Sequence, residues 1–549
     1  MTDQTTPAQY DREYGAVVIG AGFAGLYAMH RLRDGLGLSV LGVEVGDDVG
    51  GTWYWNRYPG ARCDIESYSY SYSFSEELQQ EWSWSERFAA QPEILRYLNH
   101  VADRFDLRRD FRFGTRVTAA TWDDDAHRWL VELDGGAPVR AQYLISGVGC
   151  LSAAKDPDFA GLDEFGGTLY ATSRWPHEGV DFTGRRVAVI GTGASGIQAI
   201  TEIGKQAREL TVFQRTANYA TPIGNGAMDP EFDRRLKADY PALREKSREH
   251  FLGVPYDLVQ PSALAVDDEE RHRVYQERWD QGGFRLFFDS FADVVLDRAA
   301  NETAAEFIRG KIRERVEDPA VAEALCPTDH PYATKRPPLE TNYYETYNRD
   351  GVRLVDLRAT PIERITPTGI RTADGVEHEV DDIVLATGFD AMTGPLLRLN
   401  LRGRDGVPLT ERWADGPHTY LGLMVHGFPN LFTVTGPQSP SVLYNMPLAI
   451  EDHVDFAAGA IEYLRERDLP CIEPTPDAER DWVAHTAEVA ARTLIPEAKS
   501  WWMGSNVPGK PRACMVYLAG APAYRQICAD VVANGYRGFR LGAGQLTGS

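Results

Sequence analysis

No run of eighteen apolar residues occurs in this 549-residue chain, so no membrane-spanning helix is expected. The opening segment, MTDQTTPAQYDREY, is polar and acidic and lacks the hydrophobic core of a secretory signal. Cysteine is sparse: the six residues Cys63, Cys150, Cys326, Cys471, Cys514 and Cys528 are scattered, with no C-x-x-C pair. This argues against a disulfide framework or a dithiol redox centre and fits a reducing cytoplasm. The twelve histidines show neither H-x-H nor H-x-x-x-H spacing, so no metal site is visible. Positive charge is also short. Lys and Arg number 57 against 80 Asp and Glu, a net charge of -23. A nucleic-acid partner is disfavoured by that balance.

What is present is glycine in two informative places. Tyr14 to Ile19 reads as an apolar strand entering Gly20-x-Gly22-x-x-Gly25, and a helix follows to about Asp34, with Leu26, Met29, His30 and Leu32 on or near one face. Leu38 to Val43 reads as a second strand ending at Glu44, twenty-four positions after Gly20. That spacing puts a carboxylate at the strand tip, where it can accept hydrogen bonds from a ribose hydroxyl. The pattern recurs at Val187–Ile190, Gly191-x-Gly193-x-x-Gly196 and the strand Leu210–Phe213. Missing side chains let a pyrophosphate approach the backbone, and the helix start offers free N–H groups. In the second copy the position twenty-four residues on is Arg215. A guanidinium suits a 2′-phosphate and offers nothing specific to a bare diol. The first site is therefore built for a ribose hydroxyl, as in FAD, and the second for NADPH. Two such sites in one chain imply electron transfer between two cofactors.

Between these units, Gly50-Gly51 resembles a second phosphate turn, and Trp53, Tyr54, Trp55 and Tyr58 could wall a flat isoalloxazine. Tyr68–Phe74 (YSYSYSF) alternates strictly and predicts a strand with one aromatic face, while Trp82 and Trp84 read as core. Residues 92–107 predict an amphipathic helix and 110–145 a β-rich stretch. Residues 225–325 are charged and helix-prone, an insertion with solvated faces. The sheet is expected to resume at Val352–Leu357 and Gly369–Val380, and Asp382–Asp390 reads as a strand entering an A-T-G-F-D turn. Residues 1–13 and the final LGAGQLTGS are expected to be loose.

Taken together, the segments GGTWYWNRYPGARCDIES (50–67), WSERFAAQPEILRY (84–97), VAVIGTGASGIQ (187–198), VFQRTANY (212–219), ATKRPPLETNYYETYNRD (333–350), VLATGFDAMTG (384–394), GPQSPSVLYNM (436–446) and NVPGKPR (506–512) resemble the Type I Baeyer–Villiger monooxygenases. The resemblance covers about 14–540 and is nearest the phenylacetone and steroid monooxygenase branch. It implies an α/β chain with two Rossmann-like domains, for FAD and NADP, and a helical insertion in the latter. The implied division is 1–150, FAD domain, first part; 151–224, NADP domain, first part; 225–331, helical insertion; 332–386, NADP domain, second part; and 387–549, FAD domain, second part, with substrate-pocket and mobile loops. The implied partners are a small ketone and O2, in a chain that is a monomer or weak oligomer.

By this resemblance Gly20, Gly22, Gly25, Glu44, Gly51, Thr52, Trp53, Trp55 and Tyr70 serve FAD. Gly191, Thr192, Gly193, Ser195, Gly196, Arg215, Thr216 and Lys335 serve NADPH, and Thr387, Gly388, Asp390, Met446 and Trp501 also border the cofactors. Cys150, Ser441, Val442, Leu443 and Tyr444 line the substrate pocket, with Met446 beside them. Family chemistry runs through a peroxyflavin that attacks the ketone carbonyl and a tetrahedral adduct that collapses to ester or lactone. Arg336 matches the active-site arginine and Asp64 the acid that hydrogen-bonds it.

Two departures stand out. The fingerprint F-x-G-x-x-x-H-x-x-x-W-P runs from Phe165 to Pro176, and its histidine falls at Ala171. Losing one such hydrogen bond costs about 1–3 kcal/mol, which predicts a weakened or retuned oxygenase, or an uncoupled NADPH oxidase. The A-T-G of the first crossover is replaced by Gly147-Val148-Gly149, followed by Cys150. The alternatives are oxygenation at sulfur or nitrogen, which has no evident need of Arg336, and a non-catalytic flavin-binding protein. Ser195 lies in a phosphate turn without G-x-S-x-G framing, which disfavours a hydrolase.

Overall fold

The computed structural model describes residues 12–155, 157–257, 260–542 and 545–546. Two largely parallel sheets organise it. The first begins with β1 (Glu13–Ile19), β2 (Val40–Val43), β3 (Phe111–Arg112), β4 (Val117–Asp123), β5 (Arg128–Leu133) and β6 (Val139–Ser146). The second is all parallel: β7 (Thr168–Ala171), β8 (Arg186–Ile190), β9 (Glu209–Gln214), β10 (Val352–Asp356) and β11 (Asp382–Leu385), in the order β10-β9-β8-β11-β7. The chain then returns to the first sheet with β12 (Leu401–Arg402) and β13 (Leu431–Thr433), giving eight strands ordered β12-β4-β5-β6-β1-β2-β3, with β13 on β6.

The central strands read as continuous apolar runs because both faces are covered. Ala16, Val17 and Val18 of β1 and Val187, Ala188 and Val189 of β8 are fully buried. Register then positions the functional turns. Ile19 pairs with Val43, so Gly20 and Glu44 leave the sheet at the same edge. Ile190 pairs with Phe213 on one side and Leu385 on the other, which sets Gly191 beside Gln214 and Ala386.

The helices follow their caps. α1 (Phe23–His30) is buried along nearly its whole length and continues as a π-turn, Arg31–Gly35. α2 (Gln91–Arg104) has the expected amphipathic face, and α3 (Ala194–Gln206) also buries one face. The insertion carries α4 (Pro230–Ala238), α5 (Tyr240–Glu249), α6 (Asp268–Gln281), α7 (Arg298–Arg315) and α8 (Pro319–Leu325). An aspartate precedes each of these five, at Asp229, Asp239, Asp267, Asp297 and Asp318, and its carboxylate accepts a first-turn N–H. α9 (Met446–Glu466) packs its buried face against α1.

Four expectations fail locally, in whole or in part. Tyr68–Phe74 is a series of turns rather than a strand. Its backbone donors are already spent on other groups: Ser69 and Tyr70 on the Glu66 carbonyl, Tyr72 on the Tyr97 hydroxyl, Ser73 and Phe74 on the Glu451 carboxylate. The alternation does not separate core from solvent, since Ser69 and Ser71 are as buried as Tyr68 and Tyr72. Tyr70 and Tyr72 gather around Phe23, at 5.1 and 5.0 Å, while Tyr68 turns to Phe232. Gly369–Val380 does not rejoin the parallel sheet. It forms, with Ile362–Thr366, a separate three-stranded antiparallel sheet. Of the ending expected to be loose, Gln545–Leu546 pairs antiparallel with Phe539–Leu541, and residues 1–11, 543–544 and 547–549 lie outside the described residues. Trp84 is core as expected, while Trp82 is only half-buried against it.

The 69–74 turns are held by a buried carboxylate. Glu451 on α9 accepts from Ser73 N–H at 2.6 Å and Phe74 N–H at 3.1 Å. Arg244 on α5, also buried, donates to the Ser69 and Tyr72 carbonyls and the Ser71 hydroxyl. Glu451→Ala would leave these donors without an acceptor, so a loss of about 3 kcal/mol is expected. Denaturant unfolding checks it; a change under about 0.5 kcal/mol would show that the clamp carries no net stability.

Candidate functional site

The two glycine turns are built from close backbone approaches. Gly20 has φ +100, and a Cβ on it would stand 2.7 Å from the Gly147 carbonyl oxygen. A Cβ on Gly25 would lie 1.7 Å from the Gly20 oxygen, so any side chain there drives α1 off β1. Gly22 and Gly51 face each other, the Cβ of either meeting the other's Cα at 3.3 or 2.8 Å. The two turns that sequence reading separates are thus one backbone surface. Thr52, Trp53 and Trp55 follow directly in a helical turn, Thr52–Trp55.

Glu44 occupies the tip of β2. Its Oε2 accepts the Ala21 N–H and its Oε1 the Gly46 N–H, both at 2.7 Å. Burial pushes this carboxyl up, and the N–H donors oppose the shift. Each oxygen keeps a lone pair for a ribose hydroxyl. The fit to an FAD pyrophosphate and ribose is therefore good on both counts.

At the second turn Gly191 has φ +111, and its Cβ would meet the Ala386 oxygen at 2.4 Å; that of Gly196 would meet the Gly191 oxygen at 2.1 Å. Gly193 has nothing within 4 Å of its Cβ position, which leaves the helix start open to a pyrophosphate. Thr192 Oγ1 donates to the Thr216 carbonyl at 2.9 Å and Asn218 Nδ2 to the Thr192 carbonyl at 2.6 Å, pinning the turn to the end of β9. Arg215 is exposed and Lys335 half-buried. Burial pushes the Lys335 ammonium down; the Asp329 carboxylate opposes this, and the Arg215 and Arg358 charges add to it. Cations in each other's field, at the strand tip beyond an open glycine turn, suit a phosphate monoester.

Arg336 and Asp64 come together from opposite parts of the chain. Nη2 stands 2.6 Å from Oδ2, and the guanidinium lies over the Phe284 ring, 5.4 Å from its centroid. Asp64 is 5% exposed, whereas the Arg336 side chain is 32% exposed, so one face of the guanidinium stays free. Burial pushes the Asp64 carboxyl up and Arg336 opposes it. Tyr58, which sequence reading offered only as a ring wall, is the link missed there. Its hydroxyl donates to Gln198 Oε1 of α3 at 2.8 Å, joining the Gly50–Asp64 segment to the second nucleotide helix. Burial pushes its phenol up to about 12, with Ser195 and Arg336 pulling the other way.

The aromatic wall is selective. Trp53 Nε1 donates to the Tyr70 hydroxyl at 3.3 Å, with the rings at 82°. Trp55 stands edge-on to Tyr54. Of the pocket candidates, Cys150 and Leu443 share one buried apolar cluster, and Val442, Met446 and Trp501 pack against it. Burial pushes the Cys150 thiol up to about 11, so it is a neutral wall; the Ser441 hydroxyl and Arg336 pull the other way. Ser441, at φ +44, starts a tight turn and donates to the Thr435 carbonyl at 3.2 Å. Tyr444 does not join this group. It packs with Leu448, Ala449 and Ala521 and donates to Asp452 at 2.7 Å, because the chain becomes extended after the Ser441–Leu443 turn.

Behind this cluster the two crossovers between the sheets pair with each other. Ala154 bridges Phe389, the Lys155 N–H donates to the Gly388 carbonyl, Asp390 N–H to Ala153, and Met392 N–H to Cys150. Thr387, Gly388 and Asp390 therefore lie on a strap beside the second nucleotide turn. A cleft of about 840 Å³ lined by Arg57, Trp82, Gln91, Arg96 and His177 lies behind Trp53, whose carbonyl accepts a hydrogen bond from Gln91, and none of the candidate residues lines it. Among the described residues no His, Cys, Asp or Glu group is placed to hold a metal, and no helix is long and apolar enough to cross a membrane.

Known proteins are similar to this chain along nearly its whole length. The family model described as pyridine nucleotide-disulphide oxidoreductase matches residues 17–241. A 2-oxo-Δ3-4,5,5-trimethylcyclopentenylacetyl-CoA monooxygenase from Pseudomonas putida is 45% identical, over 96% of this chain and 98% of its own. A Baeyer-Villiger monooxygenase from Pseudooceanicola batsensis is 46% identical over 95% of each. The solved structure of an oxidized steroid monooxygenase bound to NADP is 54% identical, covers 97% of this chain and 100% of its own, and superposes with a TM-score of 0.93. With the paired glycine turns, the carboxylate and cation at their respective strand tips and Arg336 beside Asp64, the chain belongs to the Type I Baeyer–Villiger monooxygenases, FAD- and NADPH-dependent oxidoreductases that convert a ketone to an ester or lactone.

Proposed function

We propose that the ketone is apolar and that Arg336 is the catalytic cation that receives its carbonyl oxygen. The observation that carries this reading is the Arg336–Asp64 pair, one oxygen of a buried carboxylate holding one edge of a half-exposed guanidinium. When bound, FAD reduced by NADPH activates O2 and supplies the inserted oxygen atom. Around it the chain's residues position, stabilise and exclude water. Gly20, Gly22, Gly25, Gly51 and Thr52 receive the FAD pyrophosphate, Glu44 its ribose, and Trp53, Trp55 and Tyr70 border the ring. Gly191, Thr192, Gly193, Ser195 and Gly196 receive the NADPH pyrophosphate, and Arg215, Thr216 and Lys335 its 2′-phosphate. Thr387, Gly388 and Asp390 form the strap between them.

Arg336 acts electrostatically. A carbonyl under attack gains negative charge on oxygen, and a guanidinium fixed beforehand stabilises it without reorganising. Asp64 sets its orientation, and the Cys150, Val442, Leu443, Met446 and Trp501 wall keeps water out, which strengthens the interaction. That wall offers few polar groups beyond Ser441, which supports an apolar substrate body. The division at residues 150, 224, 331 and 386 is part of this reading, as is a monomer or weak oligomer. Cytoplasmic placement rests on six unpaired cysteines.

Arg336→Ala should lower ester formation by about 10²–10³-fold while NADPH oxidation to H2O2 continues. Product analysis by gas chromatography checks it, and near-parental ester yield would remove Arg336 from the chemistry and favour oxygenation at sulfur or nitrogen.

Ala171 closes β7, paired with Leu385, which precedes the crossover strap by two residues. Ala171→His would place an imidazole donor there and should bring NADPH consumed per ester formed closer to one. Unchanged stoichiometry would mean the chain does without this hydrogen bond.

A further inference from the structure

Arg336 is held by two neighbours from two segments: the Asp64 carboxylate at 2.6 Å, and the Phe284 ring with its centroid 5.4 Å from the guanidinium carbon. A second acid stands beside them with no part in the chemistry described so far. Glu66 follows Asp64 by two residues and is fully buried. The stretch that carries both acids is pinned at each end. Cys63 N–H donates to the Ala89 carbonyl at 3.1 Å, and Ser67 N–H to the Arg87 carbonyl at 2.7 Å.

Glu66 reaches across to the segment that carries Phe284. Its Oε1 accepts from Arg87 Nη2 at 3.1 Å and from the Tyr256 hydroxyl at 3.1 Å, and its Oε2 lies 3.0 Å from the same hydroxyl. Gly283, at φ +66, backs directly onto this pair: a Cβ there would stand 3.2 Å from the Tyr256 oxygen and 3.5 Å from Glu66 Oε1. On one side of Gly283, Arg87 Nη1 donates to the Gln281 carbonyl at 2.8 Å. On the other, the Arg285 guanidinium lies over the Tyr256 ring, 4.3 Å from its centroid, and donates to Asp289 at 3.0 Å. Phe284, between Gly283 and Arg285 at the start of the helical turn Arg285–Phe288, is thus held from both directions along the chain. A buried carboxylate paired with a half-exposed arginine adds little stability of its own. What this one does add is a joint between the stretch that supplies Asp64 and the turn that supplies Phe284.

We propose that Glu66 is a positioning residue for the oxygenation: through Tyr256 and Arg87 it sets the Gly283–Phe284 turn against Asp64, so that the Arg336 guanidinium meets the ketone oxygen in one orientation. Asp64 fixes an edge of the guanidinium, Phe284 fixes a face, and Glu66 fixes the spacing between these two supports. A cation that must reorient during the reaction loses the advantage of being placed beforehand. This rests on the assignment of Arg336 to the carbonyl oxygen.

Glu66→Gln keeps the volume and an acceptor for Tyr256 but removes the charge that orders Arg87. Steady-state product analysis of the holoenzyme with ketone, NADPH and O2 should show ester kcat falling ~10-fold, ketone KM changing less than ~2-fold, and the ratio of H2O2 to ester rising. FAD content should match the parent, and NADPH oxidation without ketone should change less than ~2-fold. Tyr256→Phe removes the donor between Glu66 and the turn while leaving a ring under Arg285. It should move ester kcat and the H2O2 ratio in the same direction, and it carries the test if Glu66→Gln does not fold. Unchanged ester kcat would remove Glu66 from the site. An equal fall in ester formation and in ketone-free NADPH oxidation would make it a structural group only. Either result overturns the proposal. In the Arg336→Ala background Glu66→Gln should cause no further loss of ester, and a second ~10-fold loss there would show that Glu66 does not act through Arg336, which also overturns it. If Arg336→Ala alone keeps near-parental ester yield, the assignment of Arg336 has failed, independently of Glu66.

Discussion

The contact between Asp64 and Arg336 is the constraint on which the rest of this molecule depends. A carboxylate at 5% exposure is costly to desolvate and is kept only if a partner is held at hydrogen-bond distance. The partner arrives from the return of the helical insertion, more than 270 residues along the chain. To bring it there, the flavin turn, the insertion and the second sheet must all take fixed relative positions. Tyr58 reinforces the same junction by reaching Gln198 on the second nucleotide helix.

Charge is managed differently on either side of this pair. On the flavin side, a single carboxylate, Glu44, is satisfied by two backbone N–H groups. On the reductant side, Arg215 and Lys335 have no carboxylate within ion-pair distance among the described residues, leaving positive potential for the ligand. In a chain of net charge -23 this local excess of cations is a built feature. The crossover strap lies between the two regions and joins them by backbone pairing.

Much of the fold was legible because its signals are local. Gly20, Gly25, Gly191 and Gly196 are readable since a Cβ at any of them would strike backbone. The equal spacing to Glu44 and Arg215 is readable since a strand, a helix and a strand of ordinary length fill it. The insertion is readable because its aspartate caps and charge periodicity are properties of single helices. YSYSYSF misled because its alternation arises from packing against Phe23, Phe232 and Glu451 on three separate elements. Tyr444 misled because one tight turn at Ser441 rotates the following side chain away from its neighbours.

The sequence by itself determined two dinucleotide turns and their preference for a hydroxyl or a phosphate. These depend on backbone sterics, element lengths and side-chain chemistry, which act over a few tens of residues. Only the tertiary structure decided that Gly22 meets Gly51, that Tyr58 links the two nucleotide sites, and that Lys155 reaches the Asn506 carbonyl. Each is a contact between segments far apart in the chain, selected by how the two sheets pack, and no local pattern of residues encodes it.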